Sequence, residues 1–396
     1  MVFKYKTFIY KKANLYNKFI LLGELVMGIK QDLEKLEALF DGFFHWLAGQ
    51  YDPETGGFFY ARSSLNNNVF KPDIESTAQA LNILERNNLI EEMPDKMRKK
   101  LIEFFQKKQD PHTGYFFDDN PLMQKDEVMV SRAFSYSLGA LKKLGGEPLY
   151  PVNFYELNVP EFTKSPEAYL EKWKSISLVN SWRGCDLLSS SCIYIDQMPS
   201  EKRDAYIQTA LSYFNGLQDQ KTGLWGEGSL YVRISGTFKM HIFYRRNHIP
   251  LPLENKIYQS ILECLRTEEA KDMCYIRNPI NLLSYLNFTI PSGDMEEIVG
   301  ITVDNIEKLK RSDGGFSREI DNSPSAPNIA QVKEDEYYPN MPDPVHLSLG
   351  LYESDMNAST QATLVRLQLY KLLGIDVKPI RESKLFFDNL RAMNKL

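Results

Sequence analysis

The chain is poor in cysteine. Its 396 residues hold four, Cys185, Cys192, Cys264 and Cys274, none in a Cys-x-x-Cys pair. That excludes a small disulfide-framed scaffold and a paired-cysteine zinc ribbon, and it makes reduced thiols in a cytoplasmic protein the expectation. Positive charge is also short: 47 Lys and Arg against 52 Asp and Glu give a net charge of −5, with no basic stripe. Nucleic acid is therefore not an expected partner. No apolar run is long enough to cross a bilayer. The best stretch, Phe19 to Met27, is interrupted by Glu24 and is too short. It follows Lys4, Lys6, Lys11, Lys12 and Lys18 and lacks a small-residue cleavage site, so residues 1–30 read as a basic and apolar leader ahead of the folded part. A Gly-rich phosphate loop, His-Glu-x-x-His and Gly-x-Ser-x-Gly are all missing, which removes the commonest nucleotide, metalloprotease and serine-hydrolase signatures.

What is present is a repeated unit. Gln218-Asp-Gln-Lys-Thr-Gly-Leu-Trp-Gly226 is its clearest copy. Gln50-Tyr-Asp-Pro-Glu-Thr-Gly-Gly-Phe58 and Gln109-Asp-Pro-His-Thr-Gly-Tyr-Phe116 are two more, and Arg311-Ser-Asp-Gly-Gly-Phe316 is a shortened one. In each, Asp and Pro end a helix, Gly takes a tight turn, and an aromatic residue folds back onto the core. Between the copies run amphipathic segments of helical period, about twelve to fourteen helices in alternating pairs, with weak strand signals. Helices are expected over Gln31–Leu47, Ile74–Leu89, Pro94–Lys107, Asp126–Leu144, Ser200–Leu217, Tyr231–Arg246, Asp272–Leu286 and Asp355–Leu373, among others, with Pro279 demanding a kink or a late start. The second helix of each pair opens alike. Asp73-Ile-Glu-Ser-Thr-Ala-Gln79 and Asp355-Met-Asn-Ala-Ser-Thr-Gln361 share Asp and Gln six residues apart. Such self-similarity predicts an all-α ring of about six helical hairpins over residues 31–375, with residues 376–396 as a peripheral C-terminal helix.

This pattern resembles the α/α toroid of terpenoid cyclases and protein prenyltransferases, whose repeats carry a Gln-x-x-x-Gly-Gly-aromatic turn before an Asp-led inner helix. The resemblance implies an enzyme acting on an isoprenoid or other apolar ligand in a central cavity. Asp73-Ile-Glu75-Ser76-Thr77-Ala78 looks like the acid box of class II cyclases, which makes Glu75 the acid and Asp73 its companion; Ser76 stands where that box has a further Asp. Asp272-Met-Cys274-Tyr275 with Asp343-Pro-Val-His346 looks like the prenyltransferase zinc ligands, which implies Zn held by Asp272, Cys274 and His346, and a partner subunit.

Two other readings stay open. Asp73, Glu75, Asp126 and Asp355 all start inner helices, so a pair of them could serve a carbohydrate hydrolase or lyase acting on an oligosaccharide. A non-catalytic toroid that binds a peptide or protein is the third reading. Candidate ligand-binding residues are Trp225, Tyr115, Phe116, Arg277, Asn278 and Tyr337. Each starting acid can equally be a plain helix cap, and each aromatic a turn anchor. The loop from Ser317 to Pro344 is the candidate lid.

Overall fold

The computed structural model describes residues 27–151, 160–196, 198–330, 332 and 341–396. The leader up to residue 26, Tyr337 and the acidic run 334–336 lie outside the described residues.

Fourteen helices are numbered here in chain order: α1 (residues 27–38), α2 (Phe43–Gln50), α3 (Ile74–Arg86), α4 (Asp95–Lys107), α5 (Glu127–Leu144), α6 (Pro166–Lys174), α7 (Ser181–Ser191), α8 (Ser200–Leu217), α9 (Leu230–Arg246), α10 (Glu254–Thr267), α11 (Met273–Leu283), α12 (Ser292–Leu309), α13 (Met356–Leu372) and α14 (Phe386–Ala392). Among the described residues there are no strands, only isolated β-bridges. Six odd-numbered helices close a ring. α3 packs on α5, α5 on α7, α7 on α9, α9 on α11, α11 on α13, and α13 returns to α3. The even-numbered helices α4, α8, α10 and α12 form the outer layer. The fold is an α/α toroid.

Each inner helix starts with a side-chain cap. Asp73, Asp126, Asn180, Ser229, Asp272 and Asp355 accept backbone N–H bonds from the first turns of α3, α5, α7, α9, α11 and α13. Such a cap satisfies donors that the helix itself leaves open. Neighbouring starts also touch: Arg183 of α7 bonds Asp126, and the Glu268 carboxylate, just before α11, accepts from Leu230 and Tyr231 of α9. The inner helices are therefore parallel, with their N-termini at one pole.

The Gly-aromatic turns fasten the layers together. Tyr51 pairs with Phe58, Gln109 with Phe116, and Lys310 with Phe316 in antiparallel bridges. Asp52, Asp110 and Asp219 accept N–H bonds from inside their turns. Gln109 and Gln218 clamp theirs by donating to the Gly114 and Gly223 carbonyls, at 3.0 and 2.8 Å. The aromatic residue's own N–H then reaches the inner helix: Phe58 to Thr77, Trp225 to Thr237, Phe316 to Ser359. Phe58, Phe116, Trp225 and Phe316 are all fully buried. At about 25 cal/mol per Å², a Trp-sized side chain contributes roughly 4–6 kcal/mol this way.

The expected Gln31–Leu47 helix is broken. Gly42 adopts φ 76° and separates α1 from α2, and its backbone lies close to Gly314 of the Arg311–Phe316 turn. Pro279 lies inside α11 instead of delaying its start. The C-terminal segment is knitted into the core. Phe386 is fully buried beside Phe44, and the Lys395 ammonium donates to the Gly49 and Tyr51 carbonyls at 2.5 and 2.6 Å. At the other end of the chain, Glu37 of α1 holds Arg366 and Tyr370 of α13 at 2.6 and 2.7 Å.

The six seams of the ring differ. α7 and α9 are in the closest contact, with Gly236 against the Ser181 backbone and Gly226 against the Ser181 side chain. The α5–α7 seam is the most thinly packed and is spanned by two ion pairs, Arg183–Asp126 and Arg132–Asp186.

Candidate active site

The N-terminal pole is covered by the segment leading into α13. Arg318 is its anchor. The guanidinium is 3.1 Å from Asp272, stacks over Trp182 at 5.6 Å, and donates to the Pro327 carbonyl at 2.8 Å, while its backbone N–H donates to Asp355 at 2.7 Å. Further along, Ser63 holds Glu353, and Ser64 donates to the Leu347 carbonyl. The described start of the 317–344 loop is thus part of the wall, not a removable lid. Beneath it the mouth narrows to a void of about 20 Å³ bordered by Tyr60, Asp73, Glu75 and Arg132.

Beside this cover lies a cleft of about 310 Å³, lined by Lys71, Asp73, Asp118, Asp119, Asn120 and His346 among others. Asp73 forms part of both the cleft and the void beneath the cover. Its Oδ1 caps α3 by accepting from Ser76 at 2.8 Å. Its Oδ2 is buried and has no hydrogen-bond partner. Burial, and secondarily the Asp118 carboxylate, push the Asp73 pKa well above the ordinary carboxyl value. Asp118 is better served: Lys108 lies at 3.0 Å and the Ile74 N–H at 3.0 Å. Burial raises the Asp118 pKa as well, against the pull of Lys108, so the two neighbouring carboxyls titrate as a pair. Asp119 is largely exposed in the same cleft, 3.5 Å from Lys108.

The other expected site residues are distributed as follows. Glu75 accepts from Gln79 at 2.9 Å and Asn357 at 3.4 Å, with Arg132 at 3.8 Å, so both oxygens face partners inside the ring. Asp126 is a buried cap bonded to Arg183 at 2.6 Å. Asp355 is fully buried and accepts from Ala358, Arg318 and Ser323; burial raises its pKa to about 7. Trp225 and Phe116 are turn anchors in the core, and Phe116 also borders a small void of about 10 Å³ beside Glu75 and Asp118. Trp225 donates its indole N–H to the Phe214 carbonyl at 2.8 Å. Tyr115 lines a separate groove of about 300 Å³ beside the α5–α7 seam, with Phe134 and Tyr194. Arg277 points into the ring and donates to Gln361. Asn278 is fully buried, and its amide finds no hydrogen-bond partner.

The zinc trio does not come together. Asp272 spends Oδ1 on the Cys274 N–H and Oδ2 on Arg318, burial raises the Cys274 thiol pKa, and His346 is an exposed residue bonded to Ser325. Among the described residues no group of three His, Cys, Asp or Glu side chains could hold a metal ion. The residues therefore do not fit the metal that the resemblance implied.

Sequence reading passed over Asp118 and Arg318. Both stand two residues beyond a turn aromatic, after Phe116 and Phe316, and Tyr60 has that place after Phe58. Extended backbone following each turn carries this position to the mouth, so the spacing is the signal that finds all three.

No protein-family model and no curated protein matches the sequence. Among solved structures, the chain is similar to a glucoamylase from Saccharomycopsis fibuligera, at 10% identity and a TM-score of 0.43 over 88% of this chain and 96% of that one. No helix among the described residues is long and apolar enough to cross a membrane.

Proposed function

We propose that the protein is a carbohydrate-directed enzyme, a hydrolase of glycosidic bonds, working in the cleft at the N-terminal pole. Asp73 is the general acid and Asp119 the second carboxylate, placed to activate water. The observation that carries this reading is the Asp73 carboxyl: buried, raised in pKa, with one oxygen unpartnered, at the edge of a cleft that also holds Asp119. Acid–base cleavage of a glycosidic bond uses two carboxyls, and a raised pKa suits the one that donates the proton. Support for a polar ligand over an isoprenoid comes from the placement of the aromatics. The turn rings are packed in the core, while the ring interior presents Glu75, Gln79, Arg132, Asn357 and Gln361. An apolar chain would leave those groups desolvated without partners.

Asp73→Asn tests the assignment cleanly, because Asn caps a helix about as well as Asp. The variant should fold and lose about 10²–10⁴ in kcat on a cleaved oligosaccharide, the range for removing a general acid. A panel of α- and β-linked oligosaccharides assayed for new reducing ends supplies the substrate. Turnover unchanged in Asp73→Asn would sink the role, and no turnover on the whole panel would sink the reading.

Stability should depend on pH in a linked way. The native carboxyl holds its proton more tightly than the unfolded one, so its contribution is complete below the ordinary pKa of about 3.9 and is lost as pH rises above it. Between pH 4 and 8 the wild type should lose melting temperature more steeply than Asp73→Asn. Parallel curves would place the Asp73 pKa at its ordinary value.

A further inference from the structure

Deeper in the ring, below Glu75, the charges do not balance. Arg132, Lys239, Arg277 and Arg86 project from α5, α9, α11 and α3, all inner helices. Among the described residues the carboxylates paired with them are Glu75 and Asp186. Asp186 takes Arg132 at 2.8 Å and Lys239 at 2.9 Å. Among the described residues Arg277 and Arg86 have no carboxylate within ion-pair distance. Arg277 donates to Gln361 and lies over Phe238 at 4.4 Å, and Arg86 donates to the hydroxyls of Thr360 and Thr363 at 3.1 and 2.9 Å. Arg132, Arg277 and Arg86 keep partial exposure on the inner ring.

The field of this cluster is felt by its neighbours. Burial lowers Lys239 to about 8 even with Asp186 beside it, and Arg132 and Arg277 add to the drop. His241 is held neutral, lowered to about 4 by burial and then by Arg245, Arg277 and Lys239. A chain of packed side chains links the cluster to the far pole. Exposed Arg245 bonds Tyr285 at 2.7 Å, Tyr285 stacks on His241 at 4.4 Å, His241 packs on Phe238 at 4.8 Å, and Phe238 carries Arg277.

We propose that the toroid lumen is an oxyanion-binding site, in which Arg277, Arg132 and Lys239 hold a carboxylate or sulfate group of a small molecule. Guanidinium groups grip such planar or tetrahedral oxyanions with paired N–H donors, and Arg277 has the donors to spare. A free inorganic oxyanion and an acidic sugar share this chemistry. For the acidic sugar the proposal rests on the carbohydrate reading above; for the anion alone it does not.

Calorimetry and thermal melting, with ionic strength held constant by NaCl, measure the site with inorganic sulfate, glucuronate and glucose as probes. Sulfate should bind saturably and raise the melting temperature beyond NaCl alone. Glucuronate should do the same if the ligand is an acidic sugar, and glucose should not. Arg277→Gln breaks no ion pair and should weaken sulfate at least tenfold, while the outer-surface Arg266→Gln leaves it unchanged. Lys239→Gln must show the same loss, which covers a failure of the first variant to fold. Sulfate acting no differently from chloride, or binding Arg277→Gln like the wild type, overturns the site. Because binding is read without turnover, an inert oligosaccharide panel leaves this result standing. Sulfate binding with inert glucuronate assigns the lumen to a free oxyanion.

Discussion

Arg318→Met should destabilise the protein by about 3–5 kcal/mol, the range for stripping one partner from a buried ion pair. Asp272 is fully buried, and Arg318 is the cation on its Oδ2. Methionine fills much of the space and leaves the buried carboxyl without its cation. The same change removes the stack on Trp182 and the bond to the Pro327 carbonyl, so the cover of the mouth loses its anchor together with the fold's stability. Denaturant unfolding gives the size of the effect. Adding Asp272→Asn should recover part of it, since the amide still caps α11 while the stranded charge disappears. A single-variant loss below about 1 kcal/mol would mean that water reaches Asp272. Added salt should not rescue Arg318→Met, because screening by mobile ions acts on exposed charges.

Gly236→Val should be comparably severe for a steric reason. A Cβ at 236 would lie 2.6 Å from the Ser181 carbonyl oxygen. That oxygen belongs to the backbone at the start of α7 and has no rotamer to move to. Relief requires α9 to back away from α7, and overpacking of this kind costs roughly 1–3 kcal/mol for each forced displacement. Alanine already makes the clash and should cost at least the lower figure; valine adds two methyl groups against the same wall. Gly139 on α5, where an added Cβ meets nothing within 4 Å, is the matched control. Gly139→Ala should be neutral or slightly stabilising through its helix propensity. Thermal melts of the three variants check the ordering, and equal melting temperatures for Gly236→Ala and Gly139→Ala would refute the close-packing argument.

Local features were legible in the chain and distant ones were not. Asp73, Asp126 and Asp355 read as possible helix caps because a cap and its N–H partners lie within three residues. The turn copies read as turns for the same reason. Arg318 was missed because its partner Asp272 is 46 residues away, and nothing near Arg318 betrays it. The zinc-like trio shows the reverse failure. Its spacing suited a metal, yet Asp272 is engaged by a cation from a different segment. Trp225 was counted among the ligand-binding residues because a sequence lists a ring without its direction. Gly42 belongs to the same class: its break in the expected first helix lies against Gly314, 272 positions on.

The closing of α13 against α3 sets a timetable for synthesis. Thr360 of α13 bonds the Gln79 carbonyl of α3 across 281 residues. At translation rates of about 5–20 residues per second, α3 waits tens of seconds for the helix that completes its packing. For that interval the nascent chain is an open arc with two raw edges. Closure needs residues 366–395, because Glu37 and the carbonyls of Gly49 and Tyr51 find Arg366 and Lys395 only there. A ribosome that stops before residue 355 leaves an arc of five inner helices, not a smaller ring, with the flank of α3 that packs on α13 uncovered.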